Sequence, residues 1–357
     1  MHCVHYGSCG GCAVDDRLSI DKPKRLKAAL QRAGYAEPVV SPLVEIPLKT
    51  RRRADLGATR YAGEIDLGLH YAKSSEVVDM RECALLDPQI VLLLPDLRVL
   101  LRSLEAFRKV GSVVINWLDT GADILLRLDY DLTGPDRRRL IDFAKSHGVL
   151  RISMAKGDAP AELVAMLQPP VITLSGVAVE PPPGAFLQAS AAGEAAIIAA
   201  VLAGLPKLTA KSRVVELYAG VGTLSFALEK QARVEAYEGA ADAVAAHDKA
   251  IRMGNLAGRV SVTMRDLTRR PLQAADMAGR AAVVLDPPYA GAAMQMKFLI
   301  ASAVPRVIYV SCNPDALSAD AFLLNKAGYK LLAATPIDQF PYSENLESVV
   351  VFGLSKK

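Results

Sequence analysis

The sequence predicts an α/β protein whose C-terminal half is a doubly wound, Rossmann-like sheet and whose central part is a smaller, mainly antiparallel α+β domain. From about residue 189 onward, short apolar strands alternate with helical segments, as they do in doubly wound sheets. From about residue 51 to 83, polar and apolar residues alternate around glycines, as they do in antiparallel strands. The proline-rich stretch Pro181–Gly184 separates the two patterns.

Periodicity and turn residues predict the elements that precede this boundary. Residues 15–34 have helical spacing and end at Gly34, and Pro23 would kink or break that helix. The other elements are strands at 51–83, a helix at 87–108, a hairpin turning at Thr120-Gly121 and a helix at Pro135–His147.

Composition places the chain among soluble globular proteins. It has 357 residues, 22% of them charged, and a formal net charge of +4. No apolar run reaches the roughly 18 residues of a membrane span, and the N-terminus lacks the apolar core of a signal peptide. A cytoplasmic protein without a membrane or an obligate protein partner is expected. The basic charge permits a nucleic-acid partner, with Arg51–Arg53 and Arg137–Arg139 as candidate phosphate contacts.

The segment "VVELYAGVGTLS" predicts a cofactor-binding turn. A strand leads into Gly220 and Gly222, which let a ligand approach the backbone closely. Glu238 ends the next strand, where an acid suits ribose hydroxyls, and Asp266 follows the third strand, near the expected adenine. Glu216, just before the turn, would repel a pyrophosphate. These acids favour S-adenosylmethionine, a sulfonium without phosphates, over the alternatives of an NAD-binding or nucleotide-free domain.

The fourth strand of this half ends in "LDPPYAG", with Asp286 followed by two prolines and Tyr289. Asp-Pro-Pro-aromatic loops recur in enzymes that methylate exocyclic amines of bases. The prolines stiffen the loop, and the aromatic ring can stack on an extruded base. The alternative is a plain turn between strand and helix.

The fifth strand ends in "RVIYVSCNPDA" and presents Cys312 at the sheet edge where active sites of this fold class collect. A thiolate beside a methyl donor can add to C6 of a pyrimidine and so make C5 nucleophilic. A base must later remove the C5 proton. "ENLESVVVF" offers Glu344 and Glu347, and Glu347 is the preferred base because it starts the last strand. The alternative for Cys312 is a buried structural thiol.

The other four cysteines form a candidate metal site. Cys3, Cys9 and Cys12 lie within ten residues, and Cys83 follows 71 residues after Cys12. Four thiolates suit zinc or a 4Fe–4S cluster. The spacing, with one distant ligand, favours the iron–sulfur cluster.

With these residues identified, the chain resembles the RNA uracil-C5 methyltransferase family. The segments "VELYAGVGTLS", "LDPPYAG", "VSCNP" and "ENLESVVV" are similar to its successive motifs, and "GAFLQAS" is similar to the opening of its catalytic domain. The resemblance implies Cys312 as nucleophile, Glu347 as base and a 4Fe–4S cluster on the four N-terminal cysteines. It also implies a methyl-donor site at Gln188, Tyr218, Glu238 and Asp286. Relatives with such a cluster act mostly on ribosomal RNA, so a 23S rRNA uridine is favoured and tRNA is the alternative.

The resemblance further implies the domain organisation. Residues 1–14 carry cysteines, 15–44 pack on the catalytic domain, 45–185 form a central RNA-facing domain and 186–357 form the methyltransferase domain. Three positions depart from the family pattern. Tyr289 stands where Arg is common, Asn345 where His is common, and Ala189-Ser190 lie close to a frequent Asn.

Three other functions remain open at this stage. An exocyclic-amine methyltransferase using Asp286-Pro287-Pro288-Tyr289 would tolerate loss of Cys312. A cytosine-C5 enzyme of RNA would be expected to carry another cysteine in the loop after the fourth strand. An inactive iron–sulfur RNA-binding protein would transfer no methyl group.

Overall fold

The computed structural model describes residues 3–209 and 211–354. Residues 1–2, 210 and 355–357, which belong to the predicted segments 1–14 and 186–357, lie outside the described residues. The described chain contains an eight-stranded sheet, a six-stranded sheet and a two-stranded sheet. The predicted fold class, a doubly wound α/β sheet with a mainly antiparallel central part, is confirmed.

The N-terminal segment packs against the large sheet. It contains a short 3₁₀ turn at Arg17–Ser19, helix α1 (Lys22–Arg32) and strand β1 (Val44–Glu45). Pro23 lies in the first turn of α1, where its missing N–H costs no helical hydrogen bond, so the predicted kink does not occur. The Asp21 side chain caps the helix by accepting a hydrogen bond from the backbone N–H of Lys24 at 2.9 Å.

The central sheet is antiparallel except for one parallel pair. Its strand order is β3-β2-β4-β5-β6-β7, and only β5 and β6 run parallel. Helices α2 and α3 cover one face and form an apolar core with it. The elements are β2 (Arg53–Tyr61), β3 (Glu64–Gly68), α2 (Pro88–Ser103), β4 (Val110–Trp117), β5 (Ala122–Leu128), α3 (Gly134–His147), β6 (Arg151–Lys156) and β7 (Glu162–Met166).

A two-stranded hairpin and the proline-rich stretch connect the two sheets. The hairpin consists of β8 (Ile172–Leu174) and β9 (Val177–Val179), and helix α4 (Ala191–Gly204) follows the prolines. The hairpin and α4 contribute buried residues to the same apolar core as the large sheet. The helices found in residues 3–209 and 211–354 include none with the length and hydropathy of a membrane span.

The large sheet has helices on both faces and a reversal of strand order in its middle. Its order is β1-β15-β16-β14-β13-β10-β11-β12, with only β16 antiparallel to its neighbours. Its strands are β10 (Arg213–Leu217), β11 (Arg233–Glu238), β12 (Val260–Met264), β13 (Ala282–Leu285), β14 (Arg306–Ser311), β15 (Tyr329–Asp338) and β16 (Glu347–Leu354), with β1 at one edge. The helices after α4 are α5 (Ser225–Leu228), α6 (Ala241–Met253), α7 (Ala274–Met277), α8 (Ala293–Ala301) and α9 (Pro314–Lys326).

The strand order reverses between β10 and β13, because β11 and β12 extend the sheet one way and β14 the other. In open α/β sheets the carboxyl ends of the strands at such a reversal form the ligand crevice. The loops after β10 and β13 are therefore expected to border the ligand-binding site.

Buried ion pairs join the N-terminal segment to this sheet. The carboxylate of Asp338, at the end of β15, is buried and accepts hydrogen bonds from Arg17 at 2.5 Å and from Lys22. Strand β1 pairs parallel with β15. We propose on this basis that residues 15–44 belong with 186–357 and that 45–185 form a separate central unit.

Candidate active site

A cavity of about 770 Å³ lies at the strand reversal, between the loops of the large sheet and one side of the central sheet. The central sheet contributes Arg53 of β2 and Arg127 of β5 to its wall. Seven of the nine residues predicted for catalysis or cofactor binding line this cavity. They are Gln188, Tyr218, Gly220, Glu238, Asp286, Cys312 and Glu347.

The turn after β10 presents backbone to the cavity. Tyr218 and Gly220 both have left-handed backbone conformations, with φ of 64° and 55°. A non-glycine residue in that region is uncommon and concentrates at functional sites. The carboxylate of Glu238 accepts hydrogen bonds from the N–H groups of Gly220 at 2.8 Å and Gly239 at 2.7 Å. The ends of β10 and β11 are thereby held together at the cavity wall.

Two predicted cofactor residues lie outside the lining of the cavity. Gly222 has a φ of 102°, and a Cβ at this position would lie 2.5 Å from Phe226 and 2.8 Å from His247. Its role in the structure is therefore close packing beneath the turn. Asp266 accepts hydrogen bonds from the backbone N–H groups of the two residues Thr268 and Arg269, both at 3.0 Å.

Glu216 also differs from its expected role. Its side chain is buried beneath the turn, where the Ser225 hydroxyl donates a hydrogen bond to it. Burial raises the pKa of Glu216 to about 8. A buried carboxyl with its pKa raised in this way is mainly uncharged at neutral pH, so Glu216 does not supply the charge that was expected to repel a pyrophosphate.

Two glutamines connect the carboxyl groups of Asp286 and Glu347 at the cavity. The Gln188 amide donates to Asp286 at 3.2 Å. The Gln339 amide donates to the Gln188 carbonyl oxygen at 2.9 Å and to Glu347 at 3.1 Å. The side chains of Asp286 and Glu347 are thus joined through a continuous chain of hydrogen bonds.

Cys312 follows β14 directly, and the residues after it explain why the strand stops there. Asn313 is the N-cap of α9, accepting a hydrogen bond from the Asp315 N–H at 3.0 Å, and Pro314 occupies the first turn. Both residue types favour a helix start. The strand therefore ends abruptly at the thiol, and the amino end of α9 lies beside it, where the helix dipole favours negative charge.

Electrostatics around Cys312 favour the neutral thiol while the cavity contains only protein groups. Burial raises the pKa of Cys312 to about 11, with further contributions from the carboxylates of Glu347 and Asp286. Burial likewise raises the pKa of Asp286 to about 6 and raises that of Glu347 well above its usual value, with Asp286 adding to the second shift. A cationic ligand in this cavity would reverse these shifts, because opposite charge favours the ionised forms.

Several lining residues were not identified from the sequence. Phe186 is 72% exposed and lines the cavity. The centre of its ring lies 5.9 Å from Cζ of the Arg53 guanidinium. Its position two residues before Gln188 in "GAFLQAS" is a signal that could have indicated it. Gln339 and Arg127 are placed by the packing of other elements, and no local pattern in the sequence distinguishes them.

The four N-terminal cysteines surround a second cavity. Cys3, Cys9, Cys12 and Cys83 line it together with apolar side chains that include Leu69, Met80 and Leu85. Burial, reinforced by neighbouring thiols, raises the pKa of Cys12 to about 12. The thiols of Cys9 and Cys83 each accept a backbone N–H at 3.4 Å. Within the described residues, no three His, Cys, Asp or Glu side chains are arranged to hold a single metal ion.

Comparison with known proteins agrees with this geometry. Residues 179–356 match a family model described as tRNA (uracil-5-)-methyltransferase. An uncharacterized RNA methyltransferase of Rhizobium meliloti is 35% identical over 357 residues, covering 97% of this chain and 84% of the relative. One from Caulobacter vibrioides is 36% identical over 372 residues, covering 98% and 85%.

A solved structure shares the fold. The tRNA (uracil-54, C5)-methyltransferase of Pyrococcus abyssi, in complex with S-adenosyl-L-homocysteine, superposes with a TM-score of 0.70 at 17% identity. The match covers 94% of this chain and 82% of the other. Family membership favours uracil-C5 chemistry over the exocyclic-amine, cytosine-C5 and inactive alternatives. The chain belongs to the RNA (uracil-5-)-methyltransferase family and is an S-adenosylmethionine-dependent RNA methyltransferase.

Proposed function

We propose that the enzyme methylates C5 of an RNA uridine through a covalent intermediate on Cys312, with Glu347 as the base that completes the reaction. The observation on which this depends is that the thiol and this carboxyl group line one cavity together with the glycine turn after β10. The proposal needs all three at one site, because the nucleophile, the proton acceptor and the methyl donor act on the same uracil ring.

The proposed reaction has three steps. The Cys312 thiolate adds to C6, and the electron pair of the C5–C6 double bond becomes available at C5. C5 attacks the methyl carbon of S-adenosylmethionine, the S–CH₃ bond breaks, and S-adenosylhomocysteine forms. The Glu347 carboxylate removes the C5 proton, the double bond re-forms, and the C6–S bond breaks to return the thiolate. One proton is released to solvent overall.

The positive sulfonium has a specific part in this scheme. In the protein alone, the Cys312 thiol is held neutral by burial and by the two carboxylates nearby. A sulfonium bound beside the turn would favour the thiolate, because a nearby cation lowers the pKa of an acid. Methyl-donor binding would thereby activate the nucleophile. Tyr218, Gly220, Glu238 and Asp286 are the proposed donor contacts.

The RNA side of the cavity is proposed to consist of Arg53, Arg127 and Phe186. The two guanidinium groups suit phosphates, and the exposed phenyl ring suits an unstacked base. Uracil C5 and C6 are inaccessible to a protein thiol inside a duplex, so the target must be flipped or single-stranded. Of the arginine clusters singled out in the sequence, Arg52 instead pairs with buried Glu194 at 2.7 Å, and Arg137 pairs with Glu162.

We propose 23S rRNA as the substrate and retain tRNA as the alternative. The preference comes from the similarity of the four-cysteine pattern to family members that act on ribosomal RNA. None of the five cysteines forms a disulfide in the described part of the chain, which supports the proposal of a cytoplasmic protein.

We propose that Cys3, Cys9, Cys12 and Cys83 hold a 4Fe–4S cluster. The four thiols line one largely apolar cavity, and two of them accept backbone N–H groups, as cluster sulfurs commonly do. The cluster's part would be structural, since methyl transfer moves no electron. Anaerobically purified protein should contain about four irons per chain and show visible sulfur-to-iron absorption. Cys83→Ser should lose both, and an unchanged iron content would contradict the assignment.

Methylation of defined RNAs tests the function. The purified holoenzyme is incubated with S-adenosylmethionine and transcripts of 23S rRNA or tRNA, and the RNA is digested to nucleosides for mass spectrometry. The proposal expects 5-methyluridine, formed on the rRNA and absent with Cys312→Ala. Methylated adenosine or cytidine, or full activity of Cys312→Ala, would overturn it. 5-Methyluridine formed only on tRNA would change the substrate but not the chemistry.

A further inference from the structure

We propose that Gln339 is a positioning residue that holds Glu347 so that a single carboxyl oxygen faces the proton to be removed. This inference rests on the proposed function of Glu347 as the base. Gln339 itself is not the nucleophile, the base or one of the proposed methyl-donor contacts.

The hydrogen bonds of Gln339 determine which way its amide faces. An amide NH₂ group has two donors, and here one points to Gln188 Oε1 at 2.9 Å and the other to Glu347 Oε2 at 3.1 Å. The reversed amide would place its oxygen against two acceptor oxygens. The NH₂ group therefore faces the base, and both of its hydrogens are used.

The two oxygens of Glu347 are consequently unequal. Oε2 accepts the Gln339 hydrogen bond, while Oε1 is buried and has no hydrogen-bond partner among the described residues. A buried acceptor without a partner is costly to a protein and commonly marks a functional position. We assign Oε1 as the atom that receives the C5 proton, since it is the oxygen of this cavity-lining residue that has no hydrogen bond among the described residues.

The structure fixes Gln339 from two sides. The preceding residue, Asp338, is buried and held by Arg17 at 2.5 Å and by Lys22. On the other side, the side-chain amide oxygen of Gln339, Oε1, lies against Gly193 of α4. A Cβ at residue 193 would lie only 2.3 Å from that oxygen. Any side chain at 193 would displace the glutamine, so Gly193 provides the space for this arrangement.

The hydrogen bond also acts on the ionisation of the base. Burial and the Asp286 carboxylate raise the pKa of Glu347, and donation by Gln339 opposes them. Asp286 is the titratable group that raises the pKa of Glu347, and Glu347 in turn raises the pKa of Cys312. The other ionisable side chains that line the cavity are Arg51, Arg53, Arg127, Tyr218, Glu238, Asp242 and Tyr289. Removing the Gln339 donor should therefore raise the pKa of Glu347, so that the carboxyl stays protonated up to a higher pH.

Single-turnover kinetics of Gln339→Met test the inference, because methionine keeps the length and removes both donors. Covalent protein–RNA adduct and 5-methyluridine are followed in time with unmodified RNA. Adduct formation should change little, while its breakdown should slow by about 10- to 100-fold, as expected for loss of a hydrogen bond to a charged group. The acid limb of the pH–rate profile should move to higher pH.

Two further variants keep the result interpretable. Gly193→Ala should slow adduct breakdown in the same direction, because it displaces Gln339 without changing it. Gln295→Met is the matched control, since Gln295 is also buried but bonds to the backbone of Leu272, at 2.8 and 2.9 Å, outside the cavity. It should lower the melting temperature and leave the pH profile and the breakdown rate unchanged.

The outcomes separate this inference from the proposed function. If Glu347→Gln accumulates adduct while Gln339→Met and Gly193→Ala break it down at the normal rate, Gln339 has no positioning role and the function stands. If Glu347→Gln accumulates no adduct and keeps its activity, the assignment of the base itself is wrong. A normal pH profile in Gln339→Met would also overturn the inference.

Discussion

The side-chain amide of Asn313 donates a hydrogen bond to the backbone carbonyl of Tyr289 at 2.9 Å. This bond joins the loop after β14, which presents Cys312, to the loop after β13, which presents Asp286. The same side chain caps α9 through its oxygen. One residue thus fixes the start of a helix and the separation of two loops that form the cavity.

Two substitutions separate these two roles of Asn313. Asn313→Ala should lose about 1 kcal/mol of stability from the missing cap and lower kcat by several-fold. Asn313→Ser keeps a capping oxygen and loses the amide donor, so it should retain most of the stability while showing the same fall in kcat. Thermal unfolding and steady-state kinetics measure the two effects. Equal activity of Asn313→Ser and the unmodified enzyme would show that the link between the loops is unimportant.

The ionisation of Cys312 should depend on a bound cation. In the free protein its pKa is raised to about 11, so alkylation of this thiol should be slow at pH 8 and accelerate toward that value. Sinefungin, whose amine replaces the sulfonium, should move the midpoint to lower pH, because a nearby cation favours the thiolate. Neutral S-adenosylhomocysteine should move it less. The rate is read from the Cys312 peptide by mass spectrometry, and equal midpoints with both ligands would contradict the proposed activation.

Glu216 should make the protein less stable as pH rises. Its folded-state pKa is raised from 4.5 to about 8, so between these values the unfolded chain releases a proton that the folded chain keeps. Unfolding is therefore favoured by up to about 1.4 kcal/mol per pH unit from this group. Glu216→Gln should gain melting temperature relative to the unmodified protein between pH 5 and pH 9. Glu344→Gln, with a side chain 67% exposed, serves as control, and parallel curves for all three proteins would refute the assignment.

Arg127 should contribute to RNA binding and not to methyl-donor binding. Its side chain lines the cavity from β5, and a lost phosphate contact weakens RNA binding and reduces the salt dependence by about one charge. Arg127→Gln should raise the KM for RNA several-fold and leave the KM for S-adenosylmethionine unchanged. Lys145→Gln changes an exposed charge on α3 and should affect neither. A normal salt dependence in Arg127→Gln would exclude a phosphate contact.

The parts of the site that the sequence predicts are those at strand ends. Asp286 and Cys312 follow the parallel strands β13 and β14, whose carboxyl ends lie at one edge of the sheet. Glu347 begins the antiparallel strand β16, whose amino end lies at that same edge. Gln339 adjoins a strand as well, but its importance depends on the orientation of two other side chains and on the absence of a Cβ at Gly193. That information is three-dimensional and leaves no local pattern.

Two acids near the turn show what sequence position leaves open. Glu216 and Asp266 occupy positions where the sequence indicates a charged wall, yet one is buried under Ser225 and the other bonds to its own loop. Sequence position shows that an acid is near a turn but not whether its carboxyl faces the ligand or satisfies backbone donors. In the central domain, Arg127 reaches the cavity only because two separate sheets meet there.

A trapping experiment with RNA that contains 5-fluorouracil tests most directly whether Cys312 forms a covalent intermediate. Fluorine at C5 cannot leave as a proton, so the adduct formed after methyl transfer should persist. The covalent mechanism predicts a denaturation-resistant protein–RNA complex that requires S-adenosylmethionine, maps by mass spectrometry to Cys312, and is absent in Cys312→Ala. Methylation of ordinary RNA without any such complex, or an adduct at another residue, would contradict it.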